Sequence, residues 1–517
     1  LIGNTFGKSV GSTNRSNILV GLWQNRWLGA TAALAVGALA GFVAAWGMPL
    51  GPATTTQALI SVGLGLVAGL AAGLLMGSRW ALLVAPLGYL LAFELMHWGS
   101  PVTSLGPIRL DEMYGILALI LGRGFHGLLA LLPMVLAGEL GVRWARSLAG
   151  QPAWPTRTAG WIPVGLAVLA LVALIVALLW PARTPAIVGQ DGQPLPGSVA
   201  EMVSVPVNGS NQTLLIRGQS VENPVLLYLA GGPGQSSLPH PRVLFADIER
   251  DFTVVAWDQR GTGKSYAALN PATLSPEEAV ADLVDVTNYL RERFDEEKIY
   301  LLGESYGTLL AVLAAQERPD LFHAIISSGQ MVSVQETDRR LYWQVMETAQ
   351  ANGDTQLVAQ LEAFGEPPYS DTPYPNAFMM GLYEQFYEPY SPPMNYQQRG
   401  TAANLGFFGI NGSEYNPVEK VNVLRGLIDM FSLMYPQLQT LDLRESAAQI
   451  DVPLYILDGT SELAARRDLA LEWFEQVDAP IKRLYPLDDA AHSVAFEQYE
   501  AFHRILLEDV LPETYGG

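Results

Sequence analysis

The chain has 517 residues, no cysteine and a formal net charge of −20. The length exceeds one ordinary domain, the missing cysteines exclude disulfides, a thiolate nucleophile and cysteine-held metal, and the acidity argues against nucleic acid as a partner. The charge is also split: residues 1–181 hold nine Lys/Arg against four Asp/Glu, and the remainder holds 21 against 46. An apolar, weakly basic part therefore precedes an acidic, soluble one.

Residues 1–26 form a polar tail with Lys8, Arg15 and Arg26. Apolar stretches follow at about 27–47, 57–77, 79–97, 125–142 and 160–180. Each is near the ~20 residues that cross a bilayer, so 27–181 reads as a transmembrane helical region of about five spans. The segment 107–122 is short and charged at its start, and reads as interfacial, re-entrant or a sixth span. With five spans and the N-terminus inside, Lys8, Arg15, Arg26, Arg79, Arg143, Arg146 and Arg157 share the inner side. The positive-inside rule then makes this a multi-pass integral membrane protein, in contact with the lipid bilayer, whose acidic part lies outside the cytoplasm. Gly63, Gly65, Gly69 and Gly73 predict close helix packing. Glu94, His97 and Glu139 read as span-end groups at headgroup depth rather than as a path through the membrane.

Residues 182–200 are rich in Pro and Gly and read as a linker. Strand candidates at 202–207 and 212–217 flank Asn208-Gly209, a hairpin signal. A buried strand at 224–230 ends in Gly231-Gly232-Pro233-Gly234, and another at 252–257 runs into Asp258-Gln259-Arg260-Gly261-Thr262-Gly263-Lys264-Ser265. An amphipathic helix is expected over 276–293, with Pro at its start. Ile299 to Leu302 then reads as a short buried strand, stopped by Gly303-Glu304-Ser305-Tyr306-Gly307 and continued as a helix. Strand, G-x-S-x-G, helix is a nucleophile elbow: a tight turn that presents the Ser305 hydroxyl at the carboxyl edge of a sheet.

The pattern alone also occurs at Gly7-Lys8-Ser9-Val10-Gly11, but in a polar tail with no strand before it. Gly263-Lys264-Ser265 similarly mimics a phosphate loop, yet position 258 is Asp where that loop needs Gly. Context singles out Ser305.

Further strands are expected near 322–327, 452–457 and 481–485, with helices near 466–477 and from about 494. Strands alternating with helices give an α/β unit with a mostly parallel sheet covered on both faces. Its first part is 201–330 and its second 451–517. Between them, 331–450 breaks the pattern and is crowded with Tyr, Phe, Pro and Met. An insert there, largely helical, would sit as a cap above Ser305, its aromatics forming the cap's own core and in part lining a pocket.

A serine nucleophile needs a base and an acid to orient it, in the order Ser, acid, His for this architecture. Of six histidines, His492 follows the last strand and precedes the last helix, the place of the base. The acid should follow strand 452–457, where Asp458 and Glu462 both stand. Oxyanion donors are expected from the backbone of Tyr306 and from Gly232, since Pro233 has no N–H.

Together GGPG, DQRGTGKS, GESYG and the late His492-Ser493 resemble the proline iminopeptidase (prolyl aminopeptidase) family of α/β-hydrolases over residues about 220–510. The resemblance implies a serine peptidase that releases an N-terminal residue from short peptides, without metal or cofactor. It favours Glu462 as the acid, with Asp458 as the alternative, because Gly459-Thr460-Ser461-Glu462 follows the family's strand-Gly-x-x-Asp pattern with Glu in place of Asp. It also makes Glu414, in Asn411-Gly412-Ser413-Glu414-Tyr415, a candidate ligand for the substrate amine. A second amine-binding carboxylate of such members is replaced here by Leu463. That loss and the membrane part support the alternative of an esterase or lipase-like hydrolase acting on small esters or lipids near the bilayer.

Overall fold

The computed structural model describes residues 13–151, 162–369, 373–393, 404–406 and 409–515. Lys8, the serine motif at 7–11, Arg157 and part of the aromatic run near 394–396 lie outside them. The chain divides into a helical unit, mainly residues 13–100 and 119–180, and a sheet unit that holds 181–515 together with Pro101–Ser104 and Ile108–Ala118.

Arg26–Gly47, Thr55–Met76 and Met113–Leu148 are long and apolar enough to cross a membrane, the last starting in the sheet unit and passing into the helical unit at Leu119, while Ala81–Met96 and Gly165–Leu178 are shorter apolar helices. Three of the five expected spans thus have the length on their own. The segment 107–122 is no separate span: from Met113 it is the start of the 36-residue run, which passes through a π-helical turn at Ile120–Gly124. The end of the expected tail is helical over Thr13–Gln24, and the Trp23 indole donates to Leu74 O at 2.9 Å. Small residues let the backbones meet, as expected: a Cβ on Gly69 would lie 1.9 Å from Met134 O. The ionisable groups are paired. Glu94 takes both forks of Arg123 (2.7 and 2.8 Å), Glu139 takes Arg79 and Arg143, and His97 bonds the Phe93 and Pro49 carbonyls.

The sheet unit is built on eight strands: β1 (Val199–Val207), β2 (Ser210–Gly218), β3 (Val225–Leu229), β4 (Thr253–Asp258), β5 (Ile299–Glu304), β6 (Phe322–Ser328), β7 (Leu454–Gly459) and β8 (Lys482–Leu487). Their order is β1-β2-β4-β3-β5-β6-β7-β8. The hairpin β1–β2 and the pair β2–β4 are antiparallel, and every other pair is parallel. Asn208 (φ 41°) and Gly209 (φ 75°) make the hairpin turn, the backbone that Asn-Gly favours.

The central strands read as unbroken apolar runs because both faces are covered. Leu226, Tyr228, Tyr300, Leu302, Ala324 and Ile326 join Phe245, Phe496, Phe502 and Leu506 in one core cluster on one face. On the other face, Leu227, Leu301 and Ile325 are equally buried, and the helices Pro276–Phe294 and Tyr306–Glu317 pack there. Ser275 caps the first of these by accepting from Glu278 N, with Pro276 at the first helical position.

The insert after β6 holds helices Val334–Ala351, Thr355–Phe364, Pro373–Met380 and Pro417–Leu438. Tyr342, Tyr369, Met379 and Tyr383 cluster with Leu341 and Leu361, so aromatics of the insert form its own core. The long helix Pro417–Leu438 starts at a capping box between Asn416 and Glu419. The stretch 182–200 is not a free linker: Arg217 bonds Thr184 Oγ1 (2.9 Å) and Pro185 O (2.6 Å), and Arg183 N bonds Ser413 O.

Candidate active site

Ser305 sits between β5 and the helix Tyr306–Glu317 with φ 52° and ψ −119°, a backbone that L-residues adopt only at a cost. The flanking glycines make the turn possible. A Cβ on Gly303 would lie 2.7 Å from Gly307 O, and one on Gly307 would lie 2.1 Å from Leu229 O on β3. The turn is further held by Ser305 N donating to Ser328 O (3.0 Å) and Thr308 Oγ1 donating to Ser305 O (2.6 Å). Among the residues of the elbow, Ser305 alone is partly exposed. Its hydroxyl lies 3.5 Å from Met331 Sδ, and among the described residues the structure holds it there rather than on His492.

His492 lies in the loop after β8, and its Nδ1 is 2.5 Å from Glu462 Oε2. Glu462 is buried, and its second oxygen takes Leu463 N (2.8 Å) and Arg466 Nη1 (2.9 Å). Burial opposes the carboxylate's charge, but the Arg466 guanidinium and His492 outweigh it and hold the group down at about 2. Asp458, the other candidate acid, is committed elsewhere: Arg467 grips it at 2.8 to 3.2 Å.

The loop after β3 lies against the elbow. A Cβ on Gly231 would be 3.0 Å from Ser305 Cβ and 3.3 Å from Glu304 O. Gly232 has φ 109°, and a Cβ there would meet Gly234 N at 2.6 Å and Gln235 N at 2.8 Å. Only glycine fits at that position, and the tight turn it allows is closed by Gln235 N donating to Gly231 O at 3.3 Å. Tyr306 begins the helix on the other side of Ser305.

Glu414 has a different setting from that of a free amine ligand. Its carboxylate is fully buried and paired with Arg242, Oε1 at 2.5 Å and Oε2 at 3.3 Å. The DQRGTGKS loop is structural. Arg260 forks onto Asp282 at 2.8 Å twice, and Lys264 Nζ pairs with Glu419. Asp258 is pushed up to about 7 by burial, against the pull of Lys264 N–H and the Tyr415 hydroxyl. The phosphate-loop likeness at 263–265 thus reflects a closed turn.

Three further residues support these groups. Arg466 stands four residues after Glu462 and also reaches His492 Nδ1 at 2.8 Å, a helical i,i+4 spacing that could have flagged it. Glu304 bonds the Tyr228 hydroxyl and, at 2.6 Å, Ser493 Oγ, so the residue before Ser305 grips the residue after His492. Gly329 (φ 63°) makes room for His492, since a Cβ there would lie 2.7 Å from its Nδ1.

Comparison with known proteins agrees with this architecture. The family model described as the alpha/beta hydrolase fold matches residues 224–499. A probable aminopeptidase of Bacillus subtilis (strain 168) is 28% identical over 310 residues, 60% of this chain and 96% of that protein. A proline iminopeptidase of Arabidopsis thaliana is 34% identical over 104 residues, 20% of this chain and only 26% of that protein. Among solved structures, a proline iminopeptidase-related protein from Thermus thermophilus shares 21% identity, covering 61% of this chain and 98% of that one with a TM-score of 0.41. The matched span of the family model holds the elbow, the loop after β3 and the loop that bears His492, and the chain belongs to the α/β-hydrolase fold family.

Proposed function

We propose that the chain is a membrane-anchored serine hydrolase that cleaves N-terminal residues from short peptides, with Ser305, His492 and Glu462 as triad. The observation that carries this is the 2.5 Å contact between Glu462 and His492 Nδ1, beside an elbow serine in a strained turn. With Nδ1–H donated to the Glu462 carboxylate, and Arg466 Nη1 donating to that carboxylate rather than to Nδ1, Nε2 is left as the base for the Ser305 hydroxyl. Attack on the scissile carbonyl then puts negative charge on its oxygen, for which the N–H groups of Gly232 and Tyr306 are the proposed donors. His492 returns the proton to the leaving amine, and water releases the acyl group by the same path in reverse. Support for the peptidase class comes from the probable aminopeptidase and the proline iminopeptidase among the relatives. The apolar helices support anchoring, and the basic residues between them support an extracytoplasmic hydrolase unit.

A second reading, an esterase acting on ester or lipid substrates near the membrane, is favoured by Glu414. A carboxylate already neutralised by Arg242 offers an incoming ammonium little. The test is hydrolysis of prolyl and alanyl arylamides, each with free and acetylated N-terminus, and of a short-chain aryl ester, by wild type and Ser305→Ala in detergent. Turnover of the free-amine amides, lost in Ser305→Ala, is expected. Fast ester cleavage with inert amides would replace the peptidase by the esterase, and activity surviving Ser305→Ala would sink both.

A further inference from the structure

The hydrolase unit contains a piece of chain that lies between the apolar helix Ala81–Met96 and the run Met113–Leu148 in the sequence and takes in the first residues of that run. Pro101–Ser104 and Ile108–Ala118 belong to it, ahead of the main body at 181–515. Their polar contacts converge on the long cap helix Pro417–Leu438. Ser104 N and Oγ donate to the buried Asp429 carboxylate at 2.7 and 2.8 Å, and the Tyr266 hydroxyl donates to it at 2.7 Å. Tyr114 Oη bonds Ile428 O at 2.6 Å and Ser432 Oγ at 2.8 Å. Positions 425, 428, 429 and 432 fall on one side of a helix, and Arg425 completes that side by lying 4.4 Å over the Tyr266 ring.

The neighbouring side of the same two turns bears on the proposed oxyanion loop. A Cβ on Gly234 would lie 2.6 Å from Gly426 O and 2.8 Å from Met430 Cβ. One on Gly261 would lie 2.5 Å from Met430 Sδ. These are backbone-close contacts without slack, so the place of the helix fixes the place of the loop.

We propose that Ser104 and Tyr114 are positioning residues for the oxyanion loop, acting through the cap helix. The proposal rests on the hydrolase reading of Ser305. Ser104 satisfies a buried carboxylate whose other partners among the described residues are Tyr266 and Arg425, and Tyr114 ties the same turn through a backbone carbonyl. A few tenths of an ångström of drift at Gly426 and Met430 would move Gly231–Gly234 off the position the oxyanion takes.

The test uses the full chain in detergent, with Ser104→Ala, Tyr114→Phe, the double variant and Ser104→Thr. Removal of one oxyanion donor costs ~100-fold or more, so displacement of the loop should lower kcat by about tenfold in the double variant. KM should stay within about twofold, and Ser104→Thr, which keeps the hydroxyl, should recover most of the rate. Amide hydrogen exchange at 231–235 and 425–432 should speed up in Ser104→Ala and in the double variant. Unchanged exchange in those segments overturns the proposal whatever the activity, as does an unchanged kcat in an active enzyme. Absent turnover in wild type would instead sink the hydrolase reading, with the exchange measurement still deciding the clamp.

Discussion

Glu462, the acid of the proposed triad, is a buried carboxylate on which stability also depends. Burial alone would raise it, yet Arg466 and His492 overcome that and hold it at about 2, against an ordinary 4.5. A carboxyl held below its unfolded value stabilises the fold at pH above the unfolded value and loses that contribution as pH falls through the folded one. Glu462→Gln should therefore destabilise the hydrolase unit near neutral pH by about 3–5 kcal/mol, because it leaves the Arg466 charge buried without its partner. The gap between wild type and variant, followed by denaturant unfolding, should narrow between pH about 4.5 and about 2. The same variant should lower kcat by ~10⁴-fold, since His492 loses the group that fixes its tautomer. An unchanged gap across that pH range would place the stabilising contact elsewhere. In the sequence Glu462, on the loop that could reach His492, is favoured over Asp458 at the strand end partly by position and partly by the family resemblance. In the structure they are separated by Arg467, which takes Asp458, and by the contact of Glu462 with His492 while Arg466 holds its other oxygen.

Among the elements, the strand-turn-helix at β5 was the most legible part of the chain. The glycines at 303 and 307 bracket a serine after an apolar run, and local sterics then leave one arrangement. Gly307→Ala would put a methyl 2.1 Å from Leu229 O, so β3 or the helix must shift. An overpacked core costs ~1–3 kcal/mol, and a displacement of about 1 Å at the nucleophile costs ~100-fold in rate. Gly307→Ala should show both losses, in unfolding midpoint and in kcat. Normal rates with a lowered midpoint would mean that the strain is absorbed away from Ser305. The strands and their alternation with helices were equally readable, because burial on both faces writes itself as unbroken apolar runs. The helical end of the tail at Thr13–Gln24 and the anchored stretch at 182–200 were not. Neither has periodicity of its own, and what orders the second is Arg217, a residue of β2.

At the scale of the molecule, charge is the property that separates the two units. The residues after 181 carry 46 acidic against 21 basic groups, so the hydrolase unit sits in a negative field of its own making. A peptide with a free ammonium is drawn into such a field and a neutral ester is not. KM for a free-amine arylamide should rise about two- to threefold when salt goes from about 20 mM to about 0.5 M, while KM for an aryl ester stays level. Equal salt dependence for both would remove long-range attraction from the account of specificity.

The seam between Ser104 and Asp429 joins residues 325 positions apart. During synthesis at ~5–20 residues per second, Ser104 leaves the ribosome roughly a quarter of a minute to a minute before its partner is made. For that interval Ser104 is without the carboxylate it meets in the folded chain, and the contact closes only once the helix Pro417–Leu438 has been made.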